Sequence, residues 1–159
     1  MRNKSINWFA LAVSIGVAEL TGLVSALLGG NSSAYYAQLV RPPLSPPSWL
    51  FPVAWTLLYV LLGVAAYRVY RAEPSAGRRR ALGLYALQLG VNFLWNPAFF
   101  GLHNPALGLA VILVLDLFVV LTIARFARVD RCAAWLLAPY LLWLLYATYL
   151  NIGIVLLNG

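Results

Sequence analysis

Few side chains in this chain have the chemistry for catalysis or metal binding, and most of those stand alone. Cys132 is the only cysteine and His103 the only histidine, so neither a disulfide nor a metal site of clustered ligands is expected. Glu19 and Asp116 are acids inside long apolar runs. An acid in a membrane is costly and points to function, so a proton-coupled exporter of aromatic cations that uses Glu19 is one hypothesis. Neither a Ser-His-Asp arrangement nor a phosphate-binding glycine loop is present.

The composition places this chain in a lipid bilayer. Of its 159 residues, 63% are hydrophobic and 9% are charged, and the mean hydropathy is +0.83. A soluble domain of this size could not bury so much apolar surface. The apolar runs lack the period-two alternation of barrel strands and are about twice their length, so they predict helices. The expected fold class is an all-α integral membrane protein, with residues 1–159 forming a single membrane domain.

Five apolar segments are long enough to cross a bilayer, which takes about 20 residues per helix. They cover residues 6–28, 48–67, 81–101, 105–124 and 133–157. The sequence therefore predicts a bundle of five transmembrane helices. Internal repeats are not evident, which disfavours a transporter built from inverted repeats.

The basic residues predict the orientation of this bundle. Ten of the eleven fall on one side of the spans, namely Arg2, Lys4, Arg68, Arg71, Arg78, Arg79, Arg80, Arg125, Arg128 and Arg131. Arg41 alone falls on the other side. For a bacterial inner membrane, this bias puts the N-terminus in the cytoplasm and the C-terminus outside. The net charge of +7 is thus explained by loops beside membrane lipid, and without a basic helix face nucleic acid is not an expected partner.

The connection between the first two spans, residues 29–47, is much longer than the others. Loops of this length in compact domains are usually functional or disordered. This one contains Tyr35, Tyr36 and two Pro-Pro pairs, which restrict the backbone and argue against a flexible linker. We expect a lid loop packed over the outer end of the bundle.

Polar and aromatic side chains recur three and four residues apart in spans 48–67, 81–101 and 133–157, so they share helix faces, and Asp116 is the polar residue on one face of span 105–124. They include Trp55, Tyr59, Gln88, Asn92, Trp95, Asn96, Phe99, Asp116, Tyr140, Trp143, Ala147 and Asn151. A rise of about 1.5 Å per residue puts several of them near mid-membrane or beneath the long loop. The sequence therefore predicts an aromatic cavity suited to a flat, apolar ligand with a few polar atoms.

Structural roles are the alternative for these residues. Tryptophans near helix ends typically anchor a helix at the membrane–water interface. Trp8, Trp49 and Trp135 lie near the ends of predicted helices. Asparagines in membranes often hold helices together by hydrogen bonds. Pro97 leaves the backbone carbonyl of Phe93 without its usual donor, and we expect Asn92 or Asn96 to supply one.

Three segments resemble signatures of the tryptophan-rich sensory proteins, the bacterial relatives of the mitochondrial translocator protein. Residues 46–56, PPSWLFPVAWT, look like the family's loop-to-helix motif. Residues 92–101, NFLWNPAFFG, resemble its third-helix motif. Residues 138–143, APYLLW, and 147–151, ATYLN, resemble the fifth. The three motifs occur in order, and the similarity runs from the first helix through Asn151.

The resemblance implies a five-helix bundle, often a homodimer, that binds porphyrins and related flat hydrophobic ligands and requires no other cofactor. By motif position, its ligand-binding residues are Tyr36, Pro46, Trp55, Tyr59, Asn96, Phe99, Asp116, Trp143 and Ala147. The implied function is a membrane receptor or sensor for protoporphyrin or haem that regulates tetrapyrrole metabolism or transport. Tryptophans matching Trp55 and Trp143 are associated with light-dependent porphyrin breakdown in some bacterial members. These two are therefore the candidate catalytic residues of an alternative, enzymatic function.

Two positions depart from the family's pattern. Leu44 stands where the family often has a tryptophan, two residues before the second Pro-Pro pair. The cholesterol motif proposed for animal members needs a basic residue shortly after a tyrosine, and none follows Tyr149. Cholesterol binding by that route is not expected.

Overall fold

The structure, a computed structural model, describes residues 5–159, and these residues form helices and connecting loops without a β-strand. The elements in chain order are α1 Trp8–Leu28, α2 Ser32–Gln38, α3 Leu50–Tyr70, α4 Ala76–Asn96, a π-helical turn Pro97–Gly101, α5 Pro105–Val129, α6 Arg131–Leu136 and α7 Ala138–Asn158. The all-α prediction is confirmed. The predicted orientation also uses Arg2 and Lys4, which lie outside the described residues.

In the part of the chain that the structure describes, four stretches are long and apolar enough to cross a membrane, namely α1, α3, α5 and the continuous run of α6 and α7. They overlap the predicted spans 6–28, 48–67, 105–124 and 133–157. Within the last of these, α6 and α7 meet at Leu137, where Pro139 occupies the first turn of α7. Proline is tolerated there because a first-turn N–H has no intrahelical partner. The predicted span 81–101 corresponds to α4 from Ala81 onward together with the π-helical turn.

Short polar side chains fix where the helices begin. Asn7, Asn31, Ser75, Asn104 and Asp130 each accept a hydrogen bond from a backbone N–H of the first turn, at 3.0 to 3.3 Å. Each bond satisfies a donor that the helix itself leaves unpaired. One of these caps, Asn31, begins α2 within the long connection. The sequence predicts a packed loop there, and the structure adds a short helix within it.

Helices α1 and α3 touch closely at one level and separate toward the end that carries α2. A Cβ on Gly63 would lie 2.4 Å from the Cα of Ile15, so glycine is needed for this approach. The hydroxyl of Ser14 donates to the carbonyl of Gly63 at 2.7 Å across the same contact. Nearer to α2, side chains of both helices line a cavity.

The two ends of the bundle differ in charge. At one end, called the basic end below, the guanidinium of Arg68 lies 3.1 Å from the carboxylate of Asp130, and Arg71 donates to the carbonyl of Ser5 at 3.2 Å. These contacts join the start of α1 to the ends of α3 and α5. The opposite end, called the loop end, carries residues 29–49 with α2, and these are called the α2 loop.

Candidate functional site

A cavity of about 610 Å³ lies between α1, α2 and α3, near the loop end, and reaches the end of α4. Its aromatic wall consists of Tyr36, Trp49, Phe51, Trp55, Tyr59, Trp95 and Phe100. Its polar side chains are Glu19, Ser32, Ser33, Ser48, Thr56 and Asn96. The volume lies within the range of about 300–1,000 Å³ that is usual for small-molecule sites.

Helical periodicity explains how α3 supplies most of this wall. Phe51, Trp55 and Tyr59 follow one another at intervals of four residues and therefore lie on one face. The Trp55 and Tyr59 rings stack with centroids 5.5 Å apart. The facing stretch of α1 contributes small and aliphatic residues and one acid, Glu19, so the cavity has a broad aromatic side and a thinner, mostly aliphatic side.

The floor of the cavity is the Tyr59 ring, which lies directly on Gly22 of α1. A Cβ at Gly22 would fall 2.1 Å from Cε2 of Tyr59, so the ring occupies the space that any other residue would need. The Tyr59 hydroxyl donates to Oδ1 of Asn92 at 2.6 Å. Both the ring and the hydroxyl of Tyr59 are thus fixed in position, so the floor of the cavity is rigid.

A buried chain of hydrogen bonds continues from Asn92 into the bundle. The Asn92 amide donates to the hydroxyl of Tyr140 at 2.8 Å, and that hydroxyl donates to Oε1 of Gln88 at the same distance. Asn92, Tyr140 and Gln88 are all buried. The chain links α3, α4 and α7, as expected for polar groups that must find partners away from water.

The partner of the Phe93 carbonyl differs from the sequence-based prediction. Neither Asn92 nor Asn96 bonds to it. Instead, the hydroxyl of Ser25 in α1 donates to this oxygen at 2.6 Å, and Asn96 donates to the Ser25 hydroxyl at 3.2 Å. The prediction was wrong because it considered donors only within the same helix, whereas Ser25 lies 68 residues away in sequence.

The α2 loop is attached to the bundle through α7. Tyr149 donates to the carbonyl of Pro43 at 2.7 Å, and Tyr146 donates to the carbonyl of Leu44. The Asn158 side chain bonds both the N–H and the carbonyl of Val40, at 2.9 and 2.8 Å. Leu44 has a φ of 68°, in the left-handed region, which non-glycine residues rarely adopt. Four hydrogen bonds thus hold the loop against α7.

Within the α2 loop, the neighbouring residues Tyr35 and Tyr36 make different contacts. Tyr36 is buried, lines the cavity and donates to the carbonyl of Pro46 at 2.8 Å. The Arg41 guanidinium lies 4.7 Å from the centre of the Tyr36 ring, within cation–π range. Tyr35 stacks on His103 with centroids 4.2 Å apart, and burial raises the pKa of its phenol above the ordinary value.

Four of the nine residues predicted as ligand contacts line the cavity, and these are Tyr36, Trp55, Tyr59 and Asn96. Phe99 lies behind the wall, where it stacks on Trp95 with centroids 5.0 Å apart. Pro46 lies in the α2 loop and contributes the carbonyl that Tyr36 binds.

The other three predicted contacts belong to α5 and α7. Trp143 packs edge-on behind Phe51 and Trp55, at 6.0 and 6.5 Å between centroids. Ala147 is buried in the core. Asp116 accepts a hydrogen bond from Thr148 at 2.7 Å between α5 and α7. Of the two candidate catalytic tryptophans, Trp55 therefore faces the cavity and Trp143 supports it from behind.

Several wall residues were outside the predicted set. Phe51 lies one helical turn before Trp55, so extending the periodic face by four residues would have found it. Trp95 was assigned to the polar and aromatic face of its span but was not among the predicted ligand-binding residues. Ser32 and Ser33 belong to α2, and only the presence of that helix brings them to the cavity. Within residues 5–159, there is no group of three His, Cys, Asp or Glu side chains able to hold a metal ion.

The long apolar helices and the way they pack define this chain as an integral membrane protein built as a helical bundle. The chain belongs to the TspO/MBR family, whose model matches residues 9–157. This confirms the family resemblance of its three motifs.

Similar proteins occur in bacteria and in animals. The chain is 40% identical to the tryptophan-rich protein TspO of Chlorobaculum tepidum, over 98% of this chain and 99% of that protein. It is 39% identical to the tryptophan-rich sensory protein of Cereibacter sphaeroides, with 97% and 94% covered. With the human translocator protein it shares 33% identity, over 90% of this chain and 83% of the human one.

Proposed function

We propose that this protein is a membrane receptor that binds a porphyrin, protoporphyrin or haem, in the cavity between α1, α2 and α3. The observation that carries this proposal is the stacked pair of Trp55 and Tyr59, which gives the cavity a broad aromatic wall. A flat macrocycle buries the most surface against such a wall. Ligand occupancy would then regulate tetrapyrrole metabolism or transport.

Charge at the loop end supports the same ligand class. Porphyrins of this kind carry carboxylate side chains, which favour the more polar end of a membrane site. Arg41 lies over the Tyr36 ring, and Tyr36 lines the cavity. An arginine can bind a carboxylate through two parallel hydrogen bonds. The ligand would therefore lie with its carboxylates toward Arg41 and its ring against α3, and the α2 loop would act as the lid.

We further propose that all five long helices cross the membrane. Residues 81–101 of α4 and the π-helical turn contain no charged residue. At about 1.5 Å per residue they extend about 31 Å, close to the thickness of a hydrocarbon core. The basic end would face the cytoplasm of a bacterial inner membrane, with the C-terminus outside.

A homodimer within the lipid is the proposed assembly. Gly83 and Gly90 of α4 have open space where a Cβ would lie, and Ala86 between them is exposed. Small residues on a helix surface allow a second helix to approach closely. Membrane lipid would cover the remaining apolar surface.

Tryptophan fluorescence tests the proposed ligand and its position together. Titration of the purified protein with protoporphyrin should quench the emission saturably, because three of the six tryptophans, Trp49, Trp55 and Trp95, line the cavity. Trp55→Phe should reduce the maximal quenching while leaving an aromatic wall in place. Trp135→Phe is the matched control, since Trp135 is 77% exposed and belongs to α6. Quenching that does not saturate, or that falls equally in both variants, would contradict the proposal.

A further inference from the structure

Glu19 is an acid on the wall of the cavity, well inside the membrane-spanning part of α1. It lies nine residues before Leu28, the last residue of the helix, which corresponds to about 13.5 Å along the axis. Glu19 and Gly22 are three residues apart and share a face of α1. The Tyr59 ring packs directly on Gly22. The carboxyl group is therefore next to the rigid aromatic floor of the cavity.

Within residues 5–159, no basic side chain pairs with this acid. Among the described residues that line the cavity, none is Lys, Arg or His. Glu19 also makes no hydrogen bond or ion pair with the part of the chain that the structure describes. A carboxyl group inside a membrane is costly unless a partner offsets its desolvation, and such groups commonly mark ligand or ion sites.

The aromatic wall, like Glu19, favours a positively charged ligand. The stacked Trp55 and Tyr59 rings both line the cavity, and the faces of such rings attract cations. The attraction is stronger where the cation is desolvated. A carboxyl group on α1 and two aromatic rings on α3 thus line the same cavity.

We propose that Glu19 makes this cavity a binding site for flat aromatic cations, with its carboxylate as the counter-ion and Trp55 and Tyr59 as the stacking surface. This is a second ligand class for the cavity, because porphyrin side chains carry the opposite charge. The proposal concerns binding and requires no transport step. It does not depend on the porphyrin proposal, and the two can be tested separately on the same sample.

A matched pair of probes tests this site, namely N-methylacridinium, a permanent cation, and acridine, its neutral counterpart at mildly alkaline pH. The wild-type protein should bind the cation about tenfold more tightly than acridine. Glu19→Gln should remove that preference while leaving acridine binding within about twofold. Glu19→Asp should keep a preference for the cation. Glu73→Gln, which removes an exposed acid from the loop after α3, is the control for overall charge and should behave as wild type.

Equal affinity for the two probes in the wild-type protein would overturn the proposal. A preference that survives Glu19→Gln would overturn it as well. Acridine binding by Glu19→Gln shows that the cavity remains intact, so loss of cation binding alone identifies the charge. Protoporphyrin titrations of the same samples separate the two proposals, since porphyrin binding without cation preference rejects only this one.

Discussion

Replacement of Trp55 by alanine is expected to lower the affinity for protoporphyrin by about ten- to a hundredfold. Trp55 forms the middle of the aromatic wall and stacks on Tyr59. Its removal takes away the largest flat surface available to a macrocycle. It also leaves a void that exposes the edges of Tyr140 and Trp143, which pack against the indole.

Equilibrium titration followed by porphyrin absorbance is the appropriate measurement, because it does not use the tryptophan signal. Trp135→Ala removes an indole of equal size far from the cavity and should leave the affinity within about twofold of wild type. If Trp55→Ala binds as tightly as Trp135→Ala, the macrocycle does not rest on α3 and the proposed orientation is incorrect.

The second large effect is expected on stability, from Asn92→Leu. Asn92 accepts from the Tyr59 hydroxyl and donates to that of Tyr140, so the leucine leaves one buried hydroxyl without an acceptor and the other without a donor. Each such loss costs about 1–3 kcal/mol in soluble proteins and about 1 kcal/mol in membrane helices. We expect a loss of about 2 kcal/mol in the free energy of unfolding.

Reversible unfolding in mixed detergent micelles measures this loss. Leu117→Ala, at a 57% exposed position on α5, is the control and should change stability by less than about 0.5 kcal/mol. An Asn92→Leu variant as stable as this control would show that the hydrogen-bond chain does not hold α3, α4 and α7 together. Porphyrin binding should also weaken, because the Tyr59 ring loses its anchor.

Apolar length and helical periodicity were enough to predict the helices and part of the cavity. Runs of about 20 apolar residues mark the long helices because a bilayer leaves few other ways to satisfy the backbone. Trp55 and Tyr59 were found from their spacing of four residues. Tyr36 came from the family resemblance alone, since its position depends on α2.

The rest of the site depends on which neighbouring helix each helix face packs against. The spacing of residues within one helix does not determine that. The depth estimate placed Trp143 and Asp116 near mid-membrane, but both side chains contact other residues and do not line the cavity. Trp143 packs behind Phe51, and Asp116 accepts from Thr148. The Ser25 bond to the Phe93 carbonyl likewise joins two helices distant in sequence.

The position of Glu19 in the structure narrows the function that its residue type alone suggests. As an acid in an apolar run, it led to the hypothesis of a proton-coupled exporter. The structure places it on the cavity wall beside Gly22 and the Tyr59 ring. That position supports a role in ligand selection, which is a narrower and more readily tested function than transport.

Hydrogen exchange of residues 31–45, with and without protoporphyrin, tests most directly whether the porphyrin binds beneath the α2 loop. The loop is tied to α7 by Tyr149 and Asn158, and its Tyr36 lines the cavity. Bound porphyrin should therefore slow exchange in this segment and in the loop-end halves of α1 and α3. Protection confined to the basic end, around Arg78 to Arg80, or no protection anywhere, would contradict a porphyrin site in this cavity.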